Sequence, residues 1–185
     1  PHLTLTRDGN ALVAMTSLGR EQRVIIAGHL DTVPVANNLP AELHHFEREQ
    51  VIFGRGSVDM KGGIAVMLKL ACELTTPSYD ITWIFYDNEE VASELNGLGR
   101  LSRNHPELLA AEFAILCEPT SALVEGGCNG TIRVEVRTVG KKAHSARPWM
   151  GLNAIHLMAE PLNILNQYQP QTVTVDGLDY RESLN

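Results

Sequence analysis

The chain has 185 residues, 44% hydrophobic and 20% charged, enough to bury a core for one domain, or for one domain and part of another. A formal net charge of -7 and a pI near 5.5 argue against a protein built to hold a polyanion, because phosphate recognition needs a concentrated basic face. Nucleic acid is therefore not an expected partner; nor is a membrane, since the longest apolar run, Ile64 to Leu74, is broken by Lys69 and is too short to span a bilayer.

Cys72, Cys117 and Cys128 are an odd number with no CxxC spacing, so neither a disulfide framework nor a thiolate zinc site is expected. A reducing cytoplasm fits that usage. No charged segment followed by an apolar run opens the chain at Pro1, and a signal peptide is not expected.

In chain order, Ala11 to Thr16 and Arg23 to Ala27 read as strands, the second an apolar run of the kind buried in a largely parallel sheet. His29 and Asp31 then lie just past a strand's C-terminal end. After a loop from Pro34 to Pro40 and a charged stretch from Glu42 to Gln50, the segment Gly54-Arg55-Gly56-Ser57 leads to Asp59. A helix is predicted from about Gly62 to Leu74 with Ala65, Leu68 and Cys72 on one face, so Asp59 sits just before a helix N-terminus. Ile81 to Tyr86 is a further strand, ending at Asp87-Asn88-Glu89-Glu90, and a helix carrying Leu95, Leu98 and Leu101 follows. Phe113 to Cys117 is another strand, ending at Glu118-Pro119.

The texture changes at Thr131 to Val139, where TIRVEVRTV alternates like a half-exposed antiparallel strand. A boundary near Gly130 is expected, separating residues 1–130 from 131–185. The second segment holds a loop from Gly140 to Gly151, a helix from about Leu152 to Asn166 that Pro161 kinks or restarts, and a strand from Thr172 to Val175. The predicted fold class is α/β, a mostly parallel central sheet flanked by helices.

The chemistry-bearing residues collect at segment ends, and in open α/β sheets ligands bind outside the carboxyl ends of the strands. His29 is a good zinc ligand type, and Asp31, two residues on in an extended segment, points the same way and can hold the other ring nitrogen. Asp59 could be a plain helix N-cap, but the two glycines of Met60-Lys61-Gly62-Gly63 give the backbone freedom to aim a carboxylate that bridges two metals. Glu89 and Glu90 are adjacent carboxylates that repel unless a cation lies beside them; one can bind metal while the other accepts a proton. Glu118 follows an apolar strand that is expected to be buried. Each alone reads as an ordinary surface or capping group. Together, four successive strand ends deliver His29, Asp59, Glu90 and Glu118, all of the N/O type that zinc accepts. His144, on the basic loop Gly140 to Pro148, is either an ordinary loop histidine or a donor to an oxyanion. His44 and His45 read as solvated; Met60, Met67, Trp83, Cys117 and Met158 read as packing residues.

The ordered motifs GHLDTVP, GRGSVDMKGG, YDNEE, ILCEPT and GKKAHSARPWMGLNAIH resemble the dinuclear zinc amidohydrolases and exopeptidases, over nearly the whole chain. The EPT motif and the stretch from GCNGTIRVEVR onward are most similar to the actinobacterial succinyl-diaminopimelate desuccinylase branch. The resemblance implies a catalytic domain with a smaller α+β lid and dimerisation domain, two Zn2+ (or cobalt) ions per subunit, and an N-acyl amino acid substrate. His29 and Glu118 would hold one zinc, Glu90 the other, and Asp59 would bridge them; Asp31 would orient His29 and Glu89 would be the base. It further implies a cis peptide at Asp59-Met60, and a homodimer in which His144 reaches the partner subunit's site. The implied reaction is hydrolysis of N-succinyl-LL-2,6-diaminopimelate, with acetylornithine deacetylase, aminoacylase or peptidase activity, or an inactive metal-binding or dimerisation module, as alternatives. Relatives extend past the position of Asn185, where a histidine completes the second zinc site, and carry a helix and strand before the position of Pro1. Asn129 stands where some desuccinylases have an arginine.

Overall fold

A computed structural model describes residues 3–184. The chain divides into two compact units, one running to Ala122 and one starting at Leu123. The boundary expected near Gly130 falls inside the second.

In chain order the first unit holds β1 (Thr4–Asp8), β2 (Ala11–Met15), β3 (Arg23–His29), β4 (Glu42–Phe46), β5 (Glu49–Phe53), α1 (Gly62–Glu73), β6 (Asp80–Tyr86), α2 (Gly97–Asn104) and β7 (Phe113–Leu116). Five of the strands form one sheet in the order β1-β2-β6-β3-β7, while β4 and β5 pair as a separate exposed hairpin. β3 runs parallel to both β6 and β7, whereas β2 joins β6 antiparallel and β1 closes the edge as a hairpin partner. The sheet is thus mixed, parallel at its heart and antiparallel on one side.

This order puts β3 between β6 and β7, the two later strands of the sheet. The chain leaves β3, passes through α1 to β6, then crosses back through α2 to β7 on the other side. Such reversals open a crevice at the carboxyl ends of the central strands. The register confirms that those ends coincide, since His29 lies opposite Tyr86 and Ala27 opposite Leu116.

Alternation of side chains sorts the strand residues onto two faces. One face carries Val13, Ile25, Ala27, Ile84 and Tyr86 against Leu101 of α2; the other carries Ala14, Ile81, Trp83 and Phe85 against Ile64, Met67 and Ala71 of α1. β6 is buried along its whole length because both faces are covered. The buried stripe of α1 differs from the expected one: Leu68 is 51% exposed and Cys72 is exposed, while Met67 is fully covered. The sequence GGIAVMLKLACE is apolar on nearly every face, so its periodicity does not choose a side; the sheet does.

The second unit holds α3 (Ala154–Leu157), α4 (Ala159–Gln167), β8 (Thr172–Val175) and β9 (Leu178–Arg181), with β8 and β9 paired as a hairpin. Asn153 caps α3 by accepting the Ile155 N–H at 2.9 Å. The predicted single helix is two, broken at Met158, with Pro161 in the first turn of α4 where its missing N–H costs nothing. The strand expected at Thr131 to Val139 does not form. Its alternation is real, but among the described residues no strand pairs with it, and a strand without a ladder partner leaves its backbone groups unpaired. Among the described residues, no helix is long and apolar enough to cross a membrane.

Candidate metal centre

The crevice at the ends of β6, β3 and β7 is where the acidic residues gather. His29 is the last residue of β3 and is 1% exposed. Its Nδ1 lies 3.1 Å from the main-chain carbonyl of Asp31, which fixes the ring orientation, and its Nε2 lies 2.9 Å from Asp59 Oδ1 and 3.8 Å from Glu118 Oε2. The Asp31 carboxylate was the expected partner of Nδ1, yet it stands 3.6 Å away, beyond hydrogen-bond range. It is engaged elsewhere: its two oxygens accept the backbone N–H groups of Glu89 and Glu90 at 3.0 and 3.1 Å. Asp31 therefore orients His29 through its backbone and the two glutamates through its side chain.

Asp59 does not come from a strand end. β5 belongs to the outlying hairpin, and Asp59 sits in a wide turn, Ser57–Lys61, that runs straight into α1. Its peptide bond to Met60 is cis, and Met60, wholly buried, accepts the His29 N–H on its sulfur at 3.1 Å. Lys61 donates from Nζ to the carbonyl of Leu30, tying this turn to the segment that follows His29. The two glycines after the turn were expected to supply conformational freedom. Gly62 instead has ordinary helical angles (φ -60, ψ -48), and Gly63 is required because a Cβ there would strike the Cys117 carbonyl. Close approach of α1 to the end of β7 brings Asp59 toward Glu118.

One ligand atom from each of His29, Asp59 and Glu90 lies within 4.8 Å of the others. With Asp31, Glu89 and Glu118, five carboxylates surround one imidazole, and among the described residues none of the five is paired with a lysine or arginine. The electrostatics reflect this. Burial disfavours protonation of His29, but the hydrogen bond to Asp59 and the charges of Glu118, Asp59 and Glu89 outweigh it and raise its pKa. Burial and neighbouring carboxylates likewise push Glu89 and Glu118 up against the opposing pull of His29, while the two backbone N–H bonds overcome burial and hold Asp31 below its ordinary value. With Nδ1 facing the Asp31 carbonyl, the Nε2 lone pair and several carboxylates without a lysine or arginine partner suit a divalent cation, whose charge would take the place of an Nε2 proton and quench the repulsion.

His144 lies in the second unit, exposed, with Nδ1 accepting the Ala146 N–H at 3.1 Å. Asn129 donates to the Arg181 carbonyl at 2.6 Å beside a polar hollow of about 420 Å³ that Gly126, Cys128 and Tyr180 also line. A more apolar hollow of about 470 Å³, lined by Gln22, Tyr79, Ile81 and Phe113, opens at the opposite, amino-terminal ends of β3, β6 and β7 and has no part in the centre.

The sequence of residues 25–177 matches the family model described as Peptidase family M20/M25/M40, and the chain belongs to that family. It is 50% identical over 98% of its length to a Mycobacterium tuberculosis protein provisionally named succinyl-diaminopimelate desuccinylase DapE. It is 44% identical over its whole length to the succinyl-diaminopimelate desuccinylase of Corynebacterium glutamicum. The chain spans about half the length of both relatives, 50% in each case. In fold it is similar to aminopeptidase PepT from Bacillus cereus, with a TM-score of 0.54 and 15% identity over 95% of this chain and 53% of that one.

Proposed function

We propose that the full-length protein is a metal-dependent hydrolase of N-acyl amides, removing succinate from N-succinyl-LL-2,6-diaminopimelate in the route to lysine. The observation that carries this reading is the convergence of His29, Asp59, Glu90 and Glu118 on one crevice, with Glu89 held beside them by Asp31. The names of the two desuccinylase relatives support the choice of substrate.

His29 and Glu118 would hold one divalent cation and Glu90 the other, with Asp59 shared; zinc is the expected metal and cobalt a substitute. Such ions, when bound, supply the Lewis acidity that polarises an amide carbonyl and makes water a nucleophile near neutral pH. Glu89 takes a proton from the attacking water and delivers it to the leaving amine nitrogen, a role for which a raised carboxyl pKa is suited. Asp31 sets where that carboxylate stands. In a homodimer formed through the second unit, His144 donates to the oxyanion in the partner subunit's site; Ala146 occupies its Nδ1, which leaves the proton on Nε2. Three unpaired thiols support a reducing compartment such as the cytoplasm.

Glu89→Gln in the full-length protein is expected to lower kcat by at least about a thousandfold while elemental analysis still finds two zincs per subunit. Retained turnover would remove Glu89 from the role of base. A panel of N-succinyl, N-acetyl and dipeptide substrates tests the specificity; preference for N-acetylornithine would overturn the desuccinylase reading.

A further inference from the structure

The functional reading uses Asp31, Glu89 and Glu90 but leaves unexplained what holds the other side of the turn that carries the glutamates. That side is built around Asp87, the first residue past β6 and only 8% exposed. Its carboxylate receives Arg100 of α2 on both oxygens, Nη2 to Oδ1 at 2.6 Å and Nη1 to Oδ2 at 3.4 Å. Asn88 donates its side-chain amide both to Asp87 Oδ2 at 3.2 Å and to the Leu95 carbonyl at 3.3 Å. The Asn88 backbone is left-handed (φ 61), a conformation Asn tolerates better than most residues and one that turns the chain sharply between Asp87 and Glu89.

The main chain is held as well. Gly97, the first residue of α2, donates its N–H to the Asp87 carbonyl at 2.7 Å, and a Cβ at Gly97 would come within 2.5 Å of Asp87 Oδ1. α2 is in turn tied to the β1–β2 hairpin, where Arg100 Nη2 donates to the Asp8 carbonyl at 2.8 Å and Asn104 to the Asp8 carboxylate at 3.0 Å. A hydrogen-bonded, largely buried ion pair of this kind is retained at a cost in desolvation that apolar packing would avoid. Its place, one residue before the left-handed turn, gives it a task.

We propose that Asp87 is a positioning residue for the centre: its ion pair with Arg100 fixes the Asn88 turn and so sets the placement of Glu89 and Glu90. Asp31 grips the two glutamate N–H groups from the β3 side, and Asp87 anchors the start of the same turn from the α2 side. Neither Asp87 nor Arg100 contacts substrate or metal in this scheme. The inference rests on the functional reading above in taking Glu90 as a ligand and Glu89 as the base.

The test compares full-length Asp87→Asn, Arg100→Lys and Asp8→Ala. Asp8→Ala takes the Asp8 carboxylate from Arg100 Nε, 3.4 Å away, and from Asn104, but keeps the Asp8 carbonyl and both Asp87 oxygens on Arg100, so it controls for a loosened α2 with the Asp87 pair intact. Zinc affinity is read by competition with a chromophoric chelator, and kcat and KM on N-succinyl-diaminopimelate. Asp87→Asn is expected to weaken zinc binding by about tenfold and to lower kcat by about tenfold with KM within about twofold, the scale seen when the partner of a metal ligand is lost. Arg100→Lys, keeping the charge but not the fork, should fall between wild type and Asp87→Asn. Asp8→Ala should leave both within about twofold whatever its melting temperature. Should Asp87→Asn fail to fold, Asn88→Gly, which keeps the turn permissible but cuts its tie to Asp87, is expected to weaken zinc binding by a smaller factor. Unchanged zinc affinity in Asp87→Asn, or equal losses in Asp8→Ala, would overturn the proposal. If the wild type binds zinc but hydrolyses no N-acyl amino acid, the functional reading fails while the affinity series still decides this one.

Discussion

Asp80 opens the strand whose far end lies beside His29, and it shows how a buried carboxylate behaves when protein donors rather than a cation satisfy it. It accepts Thr16 Oγ1 at 2.6 Å, Leu18 N–H at 2.8 Å and Arg20 N–H at 2.9 Å. Burial opposes its charge, but these donors and the nearby Arg23 outweigh that and bring its pKa from 3.8 down to about 2. Because the folded value is depressed, the stability it contributes is present above the unfolded pKa and is lost as pH falls through about 2. Asp80→Asn puts an N–H₂ group among donors and is expected to cost about 2 kcal/mol at pH 7, the scale of a buried donor left unpaired. The difference from wild type should shrink as pH drops from 4 toward 2, which urea denaturation at a series of pH values would reveal; a constant gap would contradict the assignment. Glu89 and Glu118 lack such donors to their carboxylates among the described contacts, and their pKa values move the other way.

At the scale of elements, the buried stripe of α1 yields a discriminating prediction. Met67→Ala, at a fully covered position, is expected to cost about 3 kcal/mol, whereas Leu68→Ala, 51% exposed, should cost under about 1 kcal/mol. Paired denaturant midpoints decide it, and equal losses would mean that the helix is seated differently. This is also where sequence and structure part. β3, β6 and β7 were legible because each is an apolar run ending in a chemically loaded residue, and α1 because its start is marked by Asp59 and two glycines. The face of α1 was not, since an all-round apolar helix carries no directional signal. β1, β4, β5 and β9 were missed because short, solvent-exposed sequences such as Glu49–Phe53 form strands through hairpin pairing rather than burial. In the centre, the sequence singled out His29, Asp59 and Glu90, which the fold brings within 4.8 Å of one another. The contacts of the Asp31 side chain were not, because they depend on β3 and β6 lying side by side in the sheet, a relation between residues 58 and 59 positions apart.

For the whole molecule, the unpaired acidic cluster predicts a stability that depends on bound metal. Removing the ion leaves five carboxylates around one imidazole, so chelation of the full-length protein is expected to lower its melting temperature, and returning zinc to restore it. Differential scanning calorimetry at matched ionic strength reads the effect. Identical apo and zinc-loaded melting curves would show that the cluster is solvated rather than ligating.

The carboxylate of Asp31, each oxygen taking the N–H of a different neighbouring glutamate, also bears on how such a protein decays. On the roles proposed above, a lineage that lost Glu89 would keep its metal ligands and become a metal-binding protein without turnover, a state from which one reversion would restore the enzyme. A lineage that lost Asp31 would release both glutamates, the proposed proton acceptor and the proposed ligand, in a single step. The two histories would leave different relics, the first recognisable by intact metal uptake and the second by its absence.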